Sequence, residues 1–354
     1  MKPKIPSIHM YTRLALAGLA VLVAELIFPA TTSAHVKWFA SYDVTEPPLP
    51  FAEVATPVFF AVFAGFAGLL FLAFLADGWA ARRLPRLKSS ELTFNTFQEK
   101  WVRLGTGAFL LCLWAIGLNI LTPELHTRMS WVFNVQFISA FCIAWRRTCV
   151  ISALGFCVLY VYGVSQYGLF HMLDYVYFIG IAVFLAGISL PRLARIRVAV
   201  MTGCLAFSIM WTAIEKLVYP HWTQEVLSMH SSITMGIHPE TFIVLAGFVE
   251  FTLAFYLATG RGMLRMGALV LLTVFIMAMP AFGRRDVVGH LPLIAMLIVP
   301  LMGGDSALQR FWRLPGRGVI LNASVACLLY PIALSLFFLA YYGVHWLEYS
   351  RTFL

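Results

Sequence analysis

Ten long apolar runs, separated by short groups of Lys and Arg, fill most of the chain beyond residue 56, and this alternation constrains the fold more than any motif. The runs lie near 57–76, 104–122, 130–145, 149–166, 172–190, 197–217, 240–259, 264–282, 287–302 and 318–342. Segments of about 20 apolar residues span a bilayer as helices. Of the 354 residues, 61% are hydrophobic and 12% charged, against about 25% charged in ordinary soluble domains. A water-soluble fold of this size cannot hide so much apolar surface. The expected class is therefore all-α, a polytopic transmembrane helical bundle. The net charge of +9 does not point to nucleic acid, because the basic residues form no patch or arm. The six cysteines show no CxxC or zinc spacing and read as small packing residues.

Residues 1–34 read as a signal peptide. Lys2, Lys4 and Arg13 form a basic start, Leu14 to Ala24 a short apolar core, and Thr32-Ser33-Ala34 a cleavage site. Cleavage after Ala34 leaves His35 first; the alternative is an uncleaved anchor helix. Orientation follows from the basic residues. With the mature N-terminus outside, sixteen Lys and Arg fall in inner loops and six in outer ones. The expectation is a multi-pass protein of the bacterial inner (plasma) membrane with both mature termini periplasmic.

The chain also repeats itself. Ala115-Ile116-Gly117 with Pro123 matches Ala213-Ile214-Glu215 with Pro220. The run from Gln136, QFISAFCIAWRRT, matches the run from Glu250, EFTLAFYLATGRG, and His171 matches His290. The expected organisation is an outer segment, first helix and inner loop over 35–103, four-helix repeats over 104–195 and 196–303, and a C-terminal helix with outer tail over 304–354. Both repeats start inside, so they are parallel.

The second repeat is similar to the DoxX-like family of small four-helix membrane proteins. AIEKL at 213–217, GFVEFTLAFYLATGRGMLRMGAL at 247–269 and DVVGHLPL at 286–293 carry the resemblance. It implies a four-helix bundle for each repeat, so that the expected architecture is two tandem four-helix units plus one flanking helix at each end, and an association with membrane-bound, quinone-linked redox systems. It supplies no catalytic residue set. The chain departs from the family by its duplication, by the extra helices and by Gln136 at the place of Glu250.

Candidate chemistry starts at Glu250, about ten residues or roughly 15 Å into its span. An ionised carboxylate there costs several kcal/mol, on the order of what any buried charge costs, unless it is paired or protonated. It is read either as a proton acceptor contacting a quinone or substrate, or as a hydrogen-bonded structural group, with Lys216 as a candidate partner. Glu215 and Lys216 are adjacent and do not face each other on a helix; a structural role is the first reading for both. Asp286 and His290 lie four apart on one face, with Asp286 a natural N-cap. The eight histidines after residue 34 (His35, His126, His171, His221, His230, His238, His290 and His345) all fall near the outer face. His35, His221, His230 and His238, with Met229 and Met235 nearby, form the candidate metal set, for copper above all; ordinary wet-loop histidines are the plainer reading. Residues 35–50 read as an interfacial aromatic cap, and HWTQEVLSMH as a short amphipathic helix with His221 and Glu225 on one face.

Three functions follow: a quinone-linked redox subunit with Glu250 handling protons and a membrane or periplasmic redox partner protein, a periplasmic copper or other metal-ion binding or transport protein, or a non-catalytic membrane scaffold.

Overall fold

Proline and glycine punctuate the helices. The computed structural model describes residues 36–83, 96–117, 119–234, 236–260, 264–302 and 318–350. The signal-peptide reading, His35 and Met235 lie outside them. The long helices are α1 (Pro57–Arg83), α2 (Thr96–Ile116), α3 (Ser130–Cys142), α4 (Cys149–Tyr167), α5 (Tyr177–Ser189), α6 (Arg197–Val218), α7 (Pro220–Met229), α8 (Pro239–Thr259), α9 (Leu264–Met302) and α10 (Val319–Tyr349). Pro57, Pro220 and Pro239 open their helices, where a missing N–H leaves nothing unsatisfied. Gly117 and Gly168, at φ +78° and +84°, stop α2 and α4 in a backbone region that favours glycine.

Among the described residues there is no strand; the chain is an all-α bundle. Five helices (α1, α4, α6, α8 and α10) are long and apolar enough to cross a membrane. A sixth crossing results if Leu169–Tyr175 and α5, bent by 57° to each other, form one span. Thus the ten runs do not become ten straight spans. The run 104–122 stops at Ile116, because Gly117 turns the chain into a loop pinned by an Asn119–His126 bridge. Helix α3 has 13 residues, roughly 20 Å at helical rise. Helix α9 breaks at Gly283, φ 73° and ψ −161°. The rings of Phe275 and His290 are 5.0 Å apart, where a continuous helix would separate them by roughly 22 Å. The limbs 264–282 and 284–302 therefore fold back on each other, and the two runs expected there are separate.

The helices close a ring. α2 packs on α3, α3 on α4, α4 on α5, α5 on α6, α6 on α8, α8 on α9, and α9 returns to α2. The first helix of each group of four thus touches the last helix of the other. α1 and α10 pack together outside the ring, against α8 and α6. Small residues set the close approaches: Gly105 faces Ala295, and Gly180 faces the backbone of Met201, as in other lipid-embedded helix pairs. Large apolar side chains such as Leu72, Leu104, Phe141, Val161, Met277 and Leu339 remain exposed around the bundle. Water would not tolerate such a surface; hydrocarbon does. The protein is an integral membrane helical bundle.

The connections sort to two ends. At one, Arg103 donates to the Ile143 carbonyl at 2.8 Å, and Glu99 takes Arg146 at 3.3 Å and Arg197 at 3.5 Å. At the other, residues 36–56 lie as a strap across the helix ends. Leu49 N–H donates to the Val218 carbonyl at 3.0 Å, and the hydroxyls of Tyr219 and Tyr342 donate to the Glu46 and Leu49 carbonyls, each at 2.6 Å. The expected aromatic cap and amphipathic helix both exist. α7 buries Trp222, Thr223, Val226 and Leu227 and exposes His221 and Glu225.

Candidate functional site

The strap carries an unusual sequence for a surface segment: Val36-Lys37-Trp38-Phe39, a short helix with its lysine turned inward. The Lys37 ammonium is fully buried. It lies 2.7 Å from Asp174 Oδ2 and 2.5 Å from Glu215 Oε2. Tyr341 on α10 donates to the same Glu215 oxygen at 3.3 Å. Burial alone lowers a lysine pKa, but the nearby Asp174, Glu215 and Glu124 carboxylates more than offset it, and Lys37 sits above its ordinary value. Burial first, and the Glu124 charge second, raise the Tyr42 hydroxyl on the same strap.

Beside Lys37, the outer edge of the Trp38 indole lies against the Gly289 backbone; a Cβ on that glycine would come within 1.9 Å of the ring. Trp38, edge-on, and Phe275, tilted, both contact the His290 ring at centroid distances of 5.3 and 5.0 Å. His290 Nδ1 is 3.0 Å from the Asp286 carbonyl oxygen and 3.0 Å from its Oδ1. A carbonyl can only accept, so Nδ1 carries a hydrogen; in the neutral ring, Nε2 is then the free base. Asp286 is wholly buried. Its Oδ1 stands within ion-pairing distance of His290, but neither carboxylate oxygen has a hydrogen-bond partner among the described residues, so no capping bond forms at the helix start.

Beneath Trp38 lies a cavity of about 120 Å³. Ser208, Thr212 and Lys216 line it from α6, four residues apart and so on one face. Glu250 lines it from α8, Phe275 and His290 from the two limbs of α9, and Asp174, Tyr175 and Tyr177 from the start of α5. Lys216 Nζ donates to Glu250 Oε2 at 2.7 Å. Glu215 and Lys216 therefore diverge: one holds the strap lysine, the other holds Glu250. The cavity mixes a base held by an ammonium, an imidazole nitrogen, hydroxyls and aromatic walls. Such a site can bind a small ring through polar atoms at its edges and exchange protons with it.

A second polar group adjoins the first. His171 Nε2 lies 2.8 Å from Glu124 Oε1, and the Tyr175 hydroxyl donates to that same oxygen. Trp38 Nε1 donates to the Tyr175 oxygen at 3.3 Å.

In the first group of four helices, Gln136 stands where the sequence match places Glu250. It is fully buried, and its Nε2 donates to the Asn119 and Ile120 carbonyls at 2.7 Å each. That position closes a loop instead of lining a cavity.

Of the sequence candidates, Glu250, Lys216 and His290 meet at the cavity wall. Asp286 stands behind His290, and Glu215 stands behind Lys37. The metal candidates do not converge. His221 lies 3.2 Å from Glu46, and His230 packs on the Phe282 ring at 5.1 Å. His238 is exposed at the start of α8. Among the described residues no group of three or more His, Cys, Asp or Glu side chains is placed to hold a metal ion. Lys37, Trp38, Glu124, Asp174 and Tyr175 went unseen as site residues. The available signal was Asp174 itself, a lone carboxylate within an apolar run. No protein-family model, curated protein or solved structure matches the chain.

Proposed function

We propose that this protein is a quinone-linked redox subunit of the inner membrane and that the cavity beneath Trp38 receives the quinone ring. The observation that carries the reading is the convergence of Lys216–Glu250 and His290 on one ring-sized space, in the half similar to the DoxX-like family. A cavity of about 120 Å³ compares with engineered cavities of about 150 Å³ that take up benzene. Trp38, Tyr177 and Phe275 supply flat walls, and Lys216 supplies a donor for a ring carbonyl. Oxidation of a bound quinol releases two electrons and two protons. Glu250 and His290 Nε2 accept the protons, and a membrane or periplasmic redox partner takes the electrons. Lys216 Nζ holds Glu250 Oε2 at 2.7 Å at the cavity wall. The tandem duplication belongs to the same reading: one copy kept the ionisable site, and the copy with Gln136 became packing.

The test is titration of purified protein in detergent with a short-chain quinone, followed by tryptophan fluorescence with Trp38→Phe as the control for the cavity. Saturable quenching should fall at least tenfold in affinity in Glu250→Gln and in Lys216→Met. Equal affinity in wild type and both variants removes the cavity from the reading.

A further inference from the structure

The polar groups at the strap end do not balance. Five carboxylates (Glu124, Asp174, Glu215, Glu250 and Asp286) face two ammonium groups, Lys37 and Lys216, and two imidazoles, His171 and His290. Even with both imidazoles protonated, one negative charge is left over. An uncompensated charge is costly in a buried site. Glu124 Oε2, Asp174 Oδ1 and both carboxylate oxygens of Asp286 are also buried without a hydrogen-bond partner among the described residues. Asp174 is 2% exposed and forms part of the cavity wall. Ionised oxygens are poorly placed there, and protons are the species that correct the deficit.

Glu124 and His171 have side chains only 4% and 1% exposed. The rings of Tyr42 and Tyr167 cover His171 at 5.5 and 5.6 Å. Their described hydrogen-bonded link toward the cavity is Tyr175, which lines the cavity and donates to Glu124. We infer that Glu124 and His171 form a second proton-accepting site, loaded from the cavity through the Tyr175 hydroxyl. The step is a relay: the Tyr175 O–H bond breaks as an O–H bond forms on Glu124, and the phenol oxygen takes a replacement proton from the cavity. No group other than the proton moves. The charged and titratable groups facing the pair are Lys37 and Tyr42 of the strap, Tyr167 at the end of α4, Tyr175 beside His171 and Tyr177 of α5, with Asp174 and Glu215 beyond them on Lys37. The inference rests on the cavity reading only for the source of the proton, which a quinol releases to Glu250 or His290 before the relay carries it on.

Infrared difference spectroscopy of the purified full-length protein, between mildly acidic and mildly alkaline buffer, reads protonated carboxyls directly. Glu124→Gln should remove one component of the wild-type band, and Glu250→Gln a different one. Glu124→Asp, a conservative variant in case the amide fails to fold, should shift that component without removing it. On mixing into heavy water, Tyr175→Phe should slow exchange of the Glu124 component at least tenfold and leave the Glu250 component unchanged. A Glu124→Gln spectrum identical to wild type, or unslowed exchange in Tyr175→Phe, overturns the inference. A protein that binds no quinone yet loses the Glu124 band loses only the cavity reading.

Discussion

The two ends of the bundle treat charge in opposite ways. At the arginine end, Glu99 takes several guanidinium groups at 3.3 to 3.8 Å, and Arg146 keeps 57% of its side chain exposed. Glu99 itself is only 4% exposed, but three guanidinium groups share it, and the exposed Arg146 contact is weak on its own. At the strap end, one ammonium, that of Lys37, is fully buried between two carboxylates. No neighbour can replace it. The number of charges therefore says little about either end. The number of partners each buried group has, and the exposure of Arg146, decide which substitutions each end tolerates.

Removing Lys37 gives the largest effect expected from this contrast. Lys37→Ala strands Asp174 and Glu215, and breaking such a buried pair costs about 3–5 kcal/mol. Thermal unfolding in detergent should show a large loss; an unchanged midpoint breaks the contrast at its strongest point. Next comes Gly289→Ala, which places a methyl within 1.9 Å of the Trp38 ring. Overpacking of this kind costs about 1–3 kcal/mol. Displacement of the indole should raise its quenching by acrylamide, read against Trp38→Phe in the same background. Gln136→Leu leaves the Asn119 and Ile120 carbonyls without their donor, worth about 1–2 kcal/mol, and should not alter quinone binding. Any loss of binding there would mean that the first half also holds a ligand. The smallest effect belongs to Arg146→Ala: below about 1 kcal/mol and fading with added salt. A loss as large as that of Lys37→Ala would erase the difference between the ends.

Much of this site was legible residue by residue. An ionisable group within a span needs a partner, and that argument led from Glu250 to Lys216 before any coordinates. His290 was legible because it has a counterpart in His171. Lys37 was not. In the sequence it is one more basic residue in an aromatic segment, and its partner Asp174 is 137 residues away. Trp38 read as an interfacial ring, and only the glycine at 289 turns it into the roof of a cavity. All ten apolar runs became helices, but several are too short to be straight spans, and the reason is local. A glycine that stops a helix, as Gly117 does, looks in an apolar run like any other small residue.

Composition and periodicity determined by themselves that this chain is a lipid-embedded bundle of helices, because burial of apolar side chains depends on how many there are and how they are spaced. They also determined that Glu250 required either a partner or a proton. Tertiary structure alone decided which lysine answers which carboxylate, that the strap covers the cavity, and that Gln136 does not mirror Glu250. Charge pairing in a dry interior depends on distances of a few ångströms between distant parts of the chain, and no spacing along the sequence encodes them.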